Sequence, residues 1–374
     1  MAEAGVLSTG ADVVRWRLHA HGLVGEGAGS VLDAVRSLTA VQSQDHLLAL
    51  WSVARRVPGA RLADVQLAMD DGALLRTHVL RPTWHTVVAD DLPWLLALTA
   101  DRVHTANGTP YRRHGLDEEL LGRARRLLRR TLGDGASSTR EEVSAALAAG
   151  GVAVAPGQAL AYLLMHAELE GLLVSGPTRG RQQTYALLED RLDEAAPART
   201  EPQDPVAELV RRHLRGHGPA TLQDLRRWSS LPVTRLREGV AALGDQVDVH
   251  VVEGRTLLTT GPAPDLTPPR HPEVLLLQSL DELVVGHADS RDLMDVAGLE
   301  AAAADVRGLP QAVVLVDGQH AGRWRGRQRS DRLDVEVVLH RPLDDAEVDA
   351  LEAEAARLAD AHGVARGGLD VSSR

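Results

Sequence analysis

The sequence predicts an α+β protein that is mainly helical, and three observations predict it. Apolar residues fall at three- and four-residue spacing through successive stretches, as amphipathic helices require. Each series then gives way to two short Val-, Leu- and Thr-rich segments around a turn, which read as strands. That order recurs three times, and the chain from residue 266 onward is strand-rich.

The first unit, residues 1–133, opens with helices over Ala11–His21, Ser30–Val41, His46–Val57 and Arg61–Met69. Strands follow at Leu74–Leu80 and Thr83–Val88, around Arg81-Pro82. Three or more helices and then a two-stranded hairpin is the order of a winged helix. In the second unit, residues 134–200, Thr139-Arg-Glu-Glu142 is a capping box that opens a helix. A second helix spans Gln158–Glu170, and strands at Leu172–Ser175 and Thr184–Leu188 flank the basic turn Gly176–Gln183. Glu194–Pro205 is Ala/Pro/Glu-rich and reads as a linker. The third unit, residues 201–265, has helices at Pro205–His217, Thr221–Ser229 and Val233–Leu243. Its hairpin, Val247–Val252 with Thr256–Thr260, crosses Glu253-Gly-Arg255. The repetition is one of architecture, because the three units share no residue pattern.

Residues 266–374 form the C-terminal region. Strands are expected at Val274–Gln278 and Leu333–Leu339, with a hairpin of Gln311–Val316 and Ala321–Arg325 turning at Asp317-Gly318. An acidic helix over Asp345–Ala361 closes the chain.

Composition excludes whole classes of chemistry. The chain has 374 residues against roughly 100–200 per domain, so several domains are expected. Cys is 0, which removes disulfides, thiolate nucleophiles, iron–sulfur clusters and Cys-ligated zinc. All 41 basic residues are Arg; without lysine there is no Schiff-base lysine and no P-loop. No apolar run approaches the ~18 residues of a membrane span, and the N-terminus lacks a signal-peptide pattern, so a cytoplasmic protein is expected.

Net charge is -11, yet the distribution is uneven. Asp101–Arg130 holds 8 Arg against 4 acids, and Gln319–Ser330 holds 4 Arg and no acid. Asp331–Arg374 holds 11 acids and 5 Arg. Nucleic-acid binding needs a basic face rather than a basic protein.

Few residue patterns point to chemistry. There is no His-Glu-x-x-His and no Gly-x-Ser-x-Gly, so neither a metal nor a cofactor is expected. Asp281-Glu282, after a strand, reads equally as a helix cap, a buried ion pair or a functional pair. Two constellations remain. Gln42-Ser-Gln44, followed by Asp45 and His46, lies in the turn between two predicted helices, where side chains at i and i+2 can point the same way. Arg81-Pro-Thr-Trp-His85 lies on the first hairpin, with Trp84 expected in the core.

These residues carry a resemblance. The N-terminal helix, the Gln-x-Gln turn, Thr83-Trp84-His85, Gly218-Pro-Ala-Thr-Leu-Gln-Asp224 with Trp228-Ser229, and Val316-Asp-Gly-Gln-His-Ala-Gly-Arg-Trp324 together resemble the YcaQ/AlkZ family of winged-helix DNA glycosylases. The resemblance spans essentially the whole chain. It implies three winged-helix units in a C-shaped, DNA-gripping body that excises bulky alkylated purines and unhooks interstrand crosslinks. Members with Gln-x-Gln resemble self-resistance enzymes that accompany DNA-alkylating natural products. Here the middle residue is Ser43, where the azinomycin-type motif has an aliphatic residue.

The chemistry of such a reaction suits these residues. An N7-alkylated purine already carries positive charge and leaves without a general acid, through an oxocarbenium-like transition state. What remains is to hold a water and to stabilise a developing cation, which fixed amide dipoles can do. Gln42 and Gln44 are the expected catalytic residues, with Thr83, Trp84 and His85 in support. Asp45 either adds a carboxylate or caps the helix that starts near His46. Gln319, His320, Arg323, Trp324, Arg325 and Arg327 would enter a DNA groove, and Arg123, Arg125, Arg126, Arg129 and Arg130 would hold phosphates. Without lysine, a monofunctional glycosylase is expected. Its partner would be double-stranded DNA with an alkylated purine, bound by a monomer. The competing reading is a non-catalytic winged-helix binder or regulator.

Overall fold

The computed structural model describes residues 7–192, 201–299 and 312–373. Its first unit contains α1 (Gly10–Ala20), α2 (Val31–Leu38), β1 (Val41–Gln42), α3 (His46–Ala54), α4 (Leu62–Asp70), β2 (Leu74–His78) and β3 (Trp84–Val88). The three strands form a sheet in the order β1-β3-β2. The expected helix through Val41 stops at Leu38 because Thr39 adopts φ 67, outside helical space. Val41 and Gln42 then pair with Thr86 and His85.

α5 (Leu92–Arg113) and α6 (Glu118–Leu132) fill the interval where the sequence offers only a basic stripe. Leu121, Leu128 and Leu132 of α6 pack with Val143, Leu160, Leu163 and Leu173 in one core. By packing, α6 therefore belongs with the second unit, not with the first, where the expected boundary at residue 133 placed it. That unit continues with β4 (Ser138–Thr139), α7 (Arg140–Ala149), α8 (Gln158–Leu169), β5 (Leu173–Arg179), β6 (Gln182–Leu187) and α9 (Leu188–Arg191). Its sheet order is β4-β6-β5, which matches the first. The basic turn is shorter than expected, since only Gly180 and Arg181 separate the strands and Gly180 takes φ +63.

The third unit has α10 (Pro205–His217), α11 (Leu222–Ser229), α12 (Val233–Leu243), β7 (Val247–Val252) and β8 (Arg255–Thr260), with Ala220 bridged to Leu258. One order thus appears three times: a helix, a short pairing segment, two helices and a hairpin. Residues 194–200 of the expected linker lie outside the described residues.

The C-terminal region holds β9 (Val274–Leu277), α13 (Glu282–Val285), β10 (Val313–Val316), β11 (Gln319–Gln328), β12 (Arg332–Leu339), α14 (Asp345–Ala361) and β13 (Ala365–Ser373). They form a sheet in the order β13-β12-β11-β10-β9, with β13 parallel to β12. β13 escapes sequence reading because it is a largely exposed, Gly-containing edge strand with no apolar alternation. Gln311 of the expected hairpin lies outside the described residues.

Strand alternation lets this sheet join two cores. Val274, Leu276, Val314 and Val316 pack with α2, α3, α4 and α14. Leu275, Leu277, Val313 and Leu315 pack with Val13, Val14 and Leu18 of α1. Strands buried on both faces read as unbroken apolar runs, as Val274–Leu277 and Val313–Val316 do. A third core joins Leu75, Val79 and Val87 of the first unit to Leu209, Val210 and Trp228 of the third. The first unit therefore packs against both the third unit and the C-terminal sheet, and its strand β1 lies where they meet. Among the described residues, no helix is long and apolar enough to cross a membrane.

Candidate functional site

β1 is two residues long, and its alternation sets the site. Ser43 is buried; its hydroxyl bonds Val41 O at 3.0 Å and shares a hydrogen bond with Thr86 Oγ1 at 2.6 Å. The middle residue of Gln42-Ser-Gln44 thus faces the core, which directs the two glutamines to the other side. Gln44 is exposed and Gln42 is nearly buried.

Gln42 is fixed at backbone and side chain. Its N–H donates to Glu282 Oε1 at 2.7 Å, and its carbonyl accepts from Gln278 Nε2 at 3.4 Å. Arg81 Nη2 lies 2.9 Å from Gln42 Oε1 and 3.0 Å from His85 Nε2. A guanidinium only donates, so both partners must accept. His85 therefore carries its proton on Nδ1, which donates to Thr83 O at 2.9 Å. The Gln42 side-chain oxygen faces Arg81, and its NH2 makes no hydrogen bond among the described residues. Burial, aided by the neighbouring Arg81 charge, lowers the His85 pKa to about 3. His85 is thus a neutral orienting group.

The other expected support residues have structural partners. Asp45 caps α3, accepting the Leu48 N–H at 3.1 Å. Trp84 is half-buried rather than fully in the core. The Arg76 guanidinium lies 4.0 Å from its ring centroid and the His78 ring 4.3 Å away. The Trp84 backbone N–H makes a long, 3.5 Å contact with Gln44 Oε1, so Gln44 is held more loosely than Gln42. Thr83 Oγ1 is buried with no hydrogen-bond partner among the described residues.

Glu282 and Arg81, which the sequence marked only as part of an acidic pair and of a hairpin, both fix Gln42. Glu282 is fully buried, and Trp228 Nε1 donates to its Oε2 at 2.9 Å, with His217 Nε2 at 3.4 Å. Burial alone would raise its pKa. The nearby His217 ring and the Arg81 charge outweigh it and hold the pKa at about 2. Its neighbour Asp281 caps α13 and takes Arg56 bidentately at 2.8 and 2.9 Å, with a further bond from Ser52. The acidic pair is therefore a cap and a buried ion pair on one side and a clamp on Gln42 on the other. The signal in the sequence was two adjacent acids in an apolar stretch; that they meet Gln42 and Arg56, over 200 residues away, was not visible.

The chain also matches a family model. The model is described as DNA glycosylase AlkZ-like, and it covers residues 35–361. The chain belongs to the AlkZ-like DNA glycosylase family. An interstrand DNA cross-link repair glycosylase of Streptomyces sahachiroi is 28% identical, over 95% of this chain and 97% of that one. The solved structure of Streptomyces sahachiroi DNA glycosylase AlkZ superposes with a TM-score of 0.80 at 23% identity, covering 97% of this chain and 99% of that chain, so the fold is shared.

Family membership implies DNA binding, and the basic residues fall into two groups. On α6, Arg123, Arg126, Arg129 and Arg130 are exposed and Arg125 is half-buried. Arg129 pairs with Glu189 at 3.0 Å and Arg125 with Glu170 at 3.4 Å, while Arg123 lies 3.9 Å from Glu119. Arg126 and Arg130 make no ion pair among the described residues.

The expected groove-entering hairpin needs correction. Gln319, His320, Arg323 and Trp324 lie in β11, a strand flanked on both sides. Trp324 is buried and donates from Nε1 to Leu277 O at 2.9 Å; His320 is also buried. Gln319 Nε2 donates to Leu293 O at 2.9 Å. The Asp317-Gly318 turn cannot project, since a Cβ on Gly318 would meet Val14 of α1 at 2.3 Å. These residues complete the centre of the sheet, where the Gln319 amide and the Trp324 indole bond backbone carbonyls. The free end is the β11–β12 hairpin, where Arg325, Arg327, Arg329 and Arg332 are exposed. Arg325 pairs with Glu336 at 2.6 Å and Arg329 with Asp334 at 2.8 Å.

Proposed function

We propose that this glycosylase hydrolyses the N-glycosidic bond of bulky N7-alkylated purines, as monoadducts or crosslinks, and so protects its host from a DNA-alkylating natural product. The fixed Gln42 beside the exposed Gln44 carries this reading. The Gln42 NH2 donates to the oxygen of a water, and the Gln44 carbonyl accepts one of its protons. The water oxygen adds to C1′ of the sugar. The C1′–N9 electron pair leaves with the purine, whose positive charge is thereby neutralised, and the spare proton passes to solvent. No acid is required for the leaving group, and the neutral His85 and capped Asp45 are consistent with that. The ionised Glu282 behind Gln42 offsets the Arg81 charge that a cationic transition state would otherwise meet.

The three repeated units are winged helices in a C-shaped body, with Gln42 and Gln44 in the first. Arg126 and Arg130 hold phosphates, and the tip of the β11–β12 hairpin, with Arg327, enters a groove. The protein acts as a monomer. With no lysine in the chain, it leaves the abasic site uncleaved.

A duplex joined by an N7–N7 guanine crosslink tests this reading. The reading expects separated strands on a denaturing gel, one abasic site, and no covalent adduct on borohydride trapping. Binding without strand separation or base release, across crosslinks and monoadducts alike, would leave a non-catalytic DNA binder.

A further inference from the structure

We propose that His104, His166 and Glu170 bind one divalent metal ion of the zinc class, which clamps α5 to α8. His104 lies in α5, His166 in the last turn of α8, and Glu170 is the residue that ends α8. His166 and Glu170 are four residues apart, which puts them on one helical face, and α5 packs against that face. One ligating atom from each of the three lies within 4.8 Å of the others. Donors around a tetrahedral zinc, with bonds of about 2.0–2.2 Å, stand roughly 3.4 Å apart. His104 Nε2 and Glu170 Oε1 are already at 3.3 Å.

The surroundings suit ligation. His104 Nε2 is buried and makes no hydrogen bond among the described residues, although it faces Glu170. Its other nitrogen, Nδ1, lies 3.1 Å from Tyr111 Oη, the kind of outer contact that fixes the ring of a metal-bound histidine. The Glu170 carboxylate is divided: Oε2 faces Arg125 at 3.4 Å, and Oε1 faces the histidines. The His104 and His166 rings lie 4.7 Å apart. Burial lowers both histidines' pKa values, His166 to about 4, so neither must lose a proton to bind at neutral pH. Two imidazoles and one carboxylate are a zinc-class donor set, with a fourth position left for water. The 61 residues between His104 and His166 hide this site from any local sequence motif.

The test uses the full chain, stripped with chelator and titrated with zinc chloride. One zinc per chain is expected, with a rise in Tm. Cobalt(II) in the same protein should give the visible absorption of a tetrahedral site. His104→Ala/His166→Ala should weaken binding at least about 100-fold and abolish the Tm response. Glu170→Gln should weaken binding and alter the cobalt spectrum. Circular dichroism and DNA binding without metal establish that the variants are folded. No saturable zinc binding by wild type, or equal binding by the folded double variant, would overturn the proposal. Neither outcome bears on base release, which is assayed without added metal.

Discussion

The Glu282 carboxylate accepts the backbone N–H of Gln42 at 2.7 Å, across 240 residues of sequence. With its second oxygen it accepts the Trp228 indole N–H at 2.9 Å. One buried charge therefore ties the first unit to the third and to the C-terminal region. Removing it by Glu282→Ala leaves two buried donors unpaired. The expected loss is about 3–5 kcal/mol of stability, seen as a lower urea midpoint. Glu282→Gln keeps an acceptor in place and should lose less. Equal midpoints for wild type and Glu282→Ala would remove Glu282 from this role.

Arg81 donates to the Gln42 side-chain oxygen and so fixes its amide. Arg81→Ala frees the amide to rotate, a misplacement of the order that costs about 100-fold in rate. DNA affinity should change by much less, because a single positive charge contributes little to binding of a polyanion. Single-turnover rates and binding titrations on the same duplex separate the two effects. A parallel fall in both would make Arg81 a DNA contact instead.

The buried histidines set the acid limit of the fold. His85 titrates at about 3, against 6.5 for an ordinary histidine. Burial likewise holds His21, His213 and His287 well below 6.5. Below pH 6.5 the unfolded chain binds protons that the folded chain refuses, so stability falls as pH drops from 6.5 and is flat above it. Each histidine contributes up to about 1.4 kcal/mol per pH unit in that window. Glu282 works in the same direction lower down. Its folded pKa of about 2 lies under its ordinary 4.5, so its contribution is present above 4.5 and lost as pH falls toward 2. Urea midpoints at about pH 7.5, 6 and 5 should decline steadily; a flat profile would contradict burial of neutral histidines.

Much of the helical fold was legible because its signals are local. Pro205–His217, Val233–Leu243 and Asp345–Ala361 are helices at the expected bounds, since Pro or capping residues mark their starts. The Thr139–Glu142 capping box is formed. What was not legible depends on distant partners. Val41 read as the end of a helix and Gln42 as part of a turn, because only pairing with β3 makes Val41-Gln42 a strand. Trp324 and His320 read as groove-facing, because nothing nearby reveals that β11 is sandwiched between β10 and β12. Gln42 and Gln44 were singled out by their spacing, but that Arg81 and Glu282 fix Gln42 could be read only from the fold.

Phosphate binding by α6 predicts a change in salt dependence. Arg126→Ala and Arg130→Ala should each reduce the slope of log affinity against log salt by about 0.9. Arg327→Ala on the β11–β12 hairpin should weaken binding to lesion-bearing duplex more than to single strands. Binding titrations at several salt concentrations check both. An unchanged slope in the α6 double variant would move the DNA path away from α6.

Base excision at Gln42 and Gln44 is decided by one single-turnover comparison. A duplex with a single bulky N7-alkylguanine is mixed with excess enzyme, and free adduct is measured over time. Wild type should release it, and Gln42→Ala/Gln44→Ala should be slower by at least about 100-fold while binding the duplex as tightly. Release at the wild-type rate by the double variant would contradict the assignment of these residues.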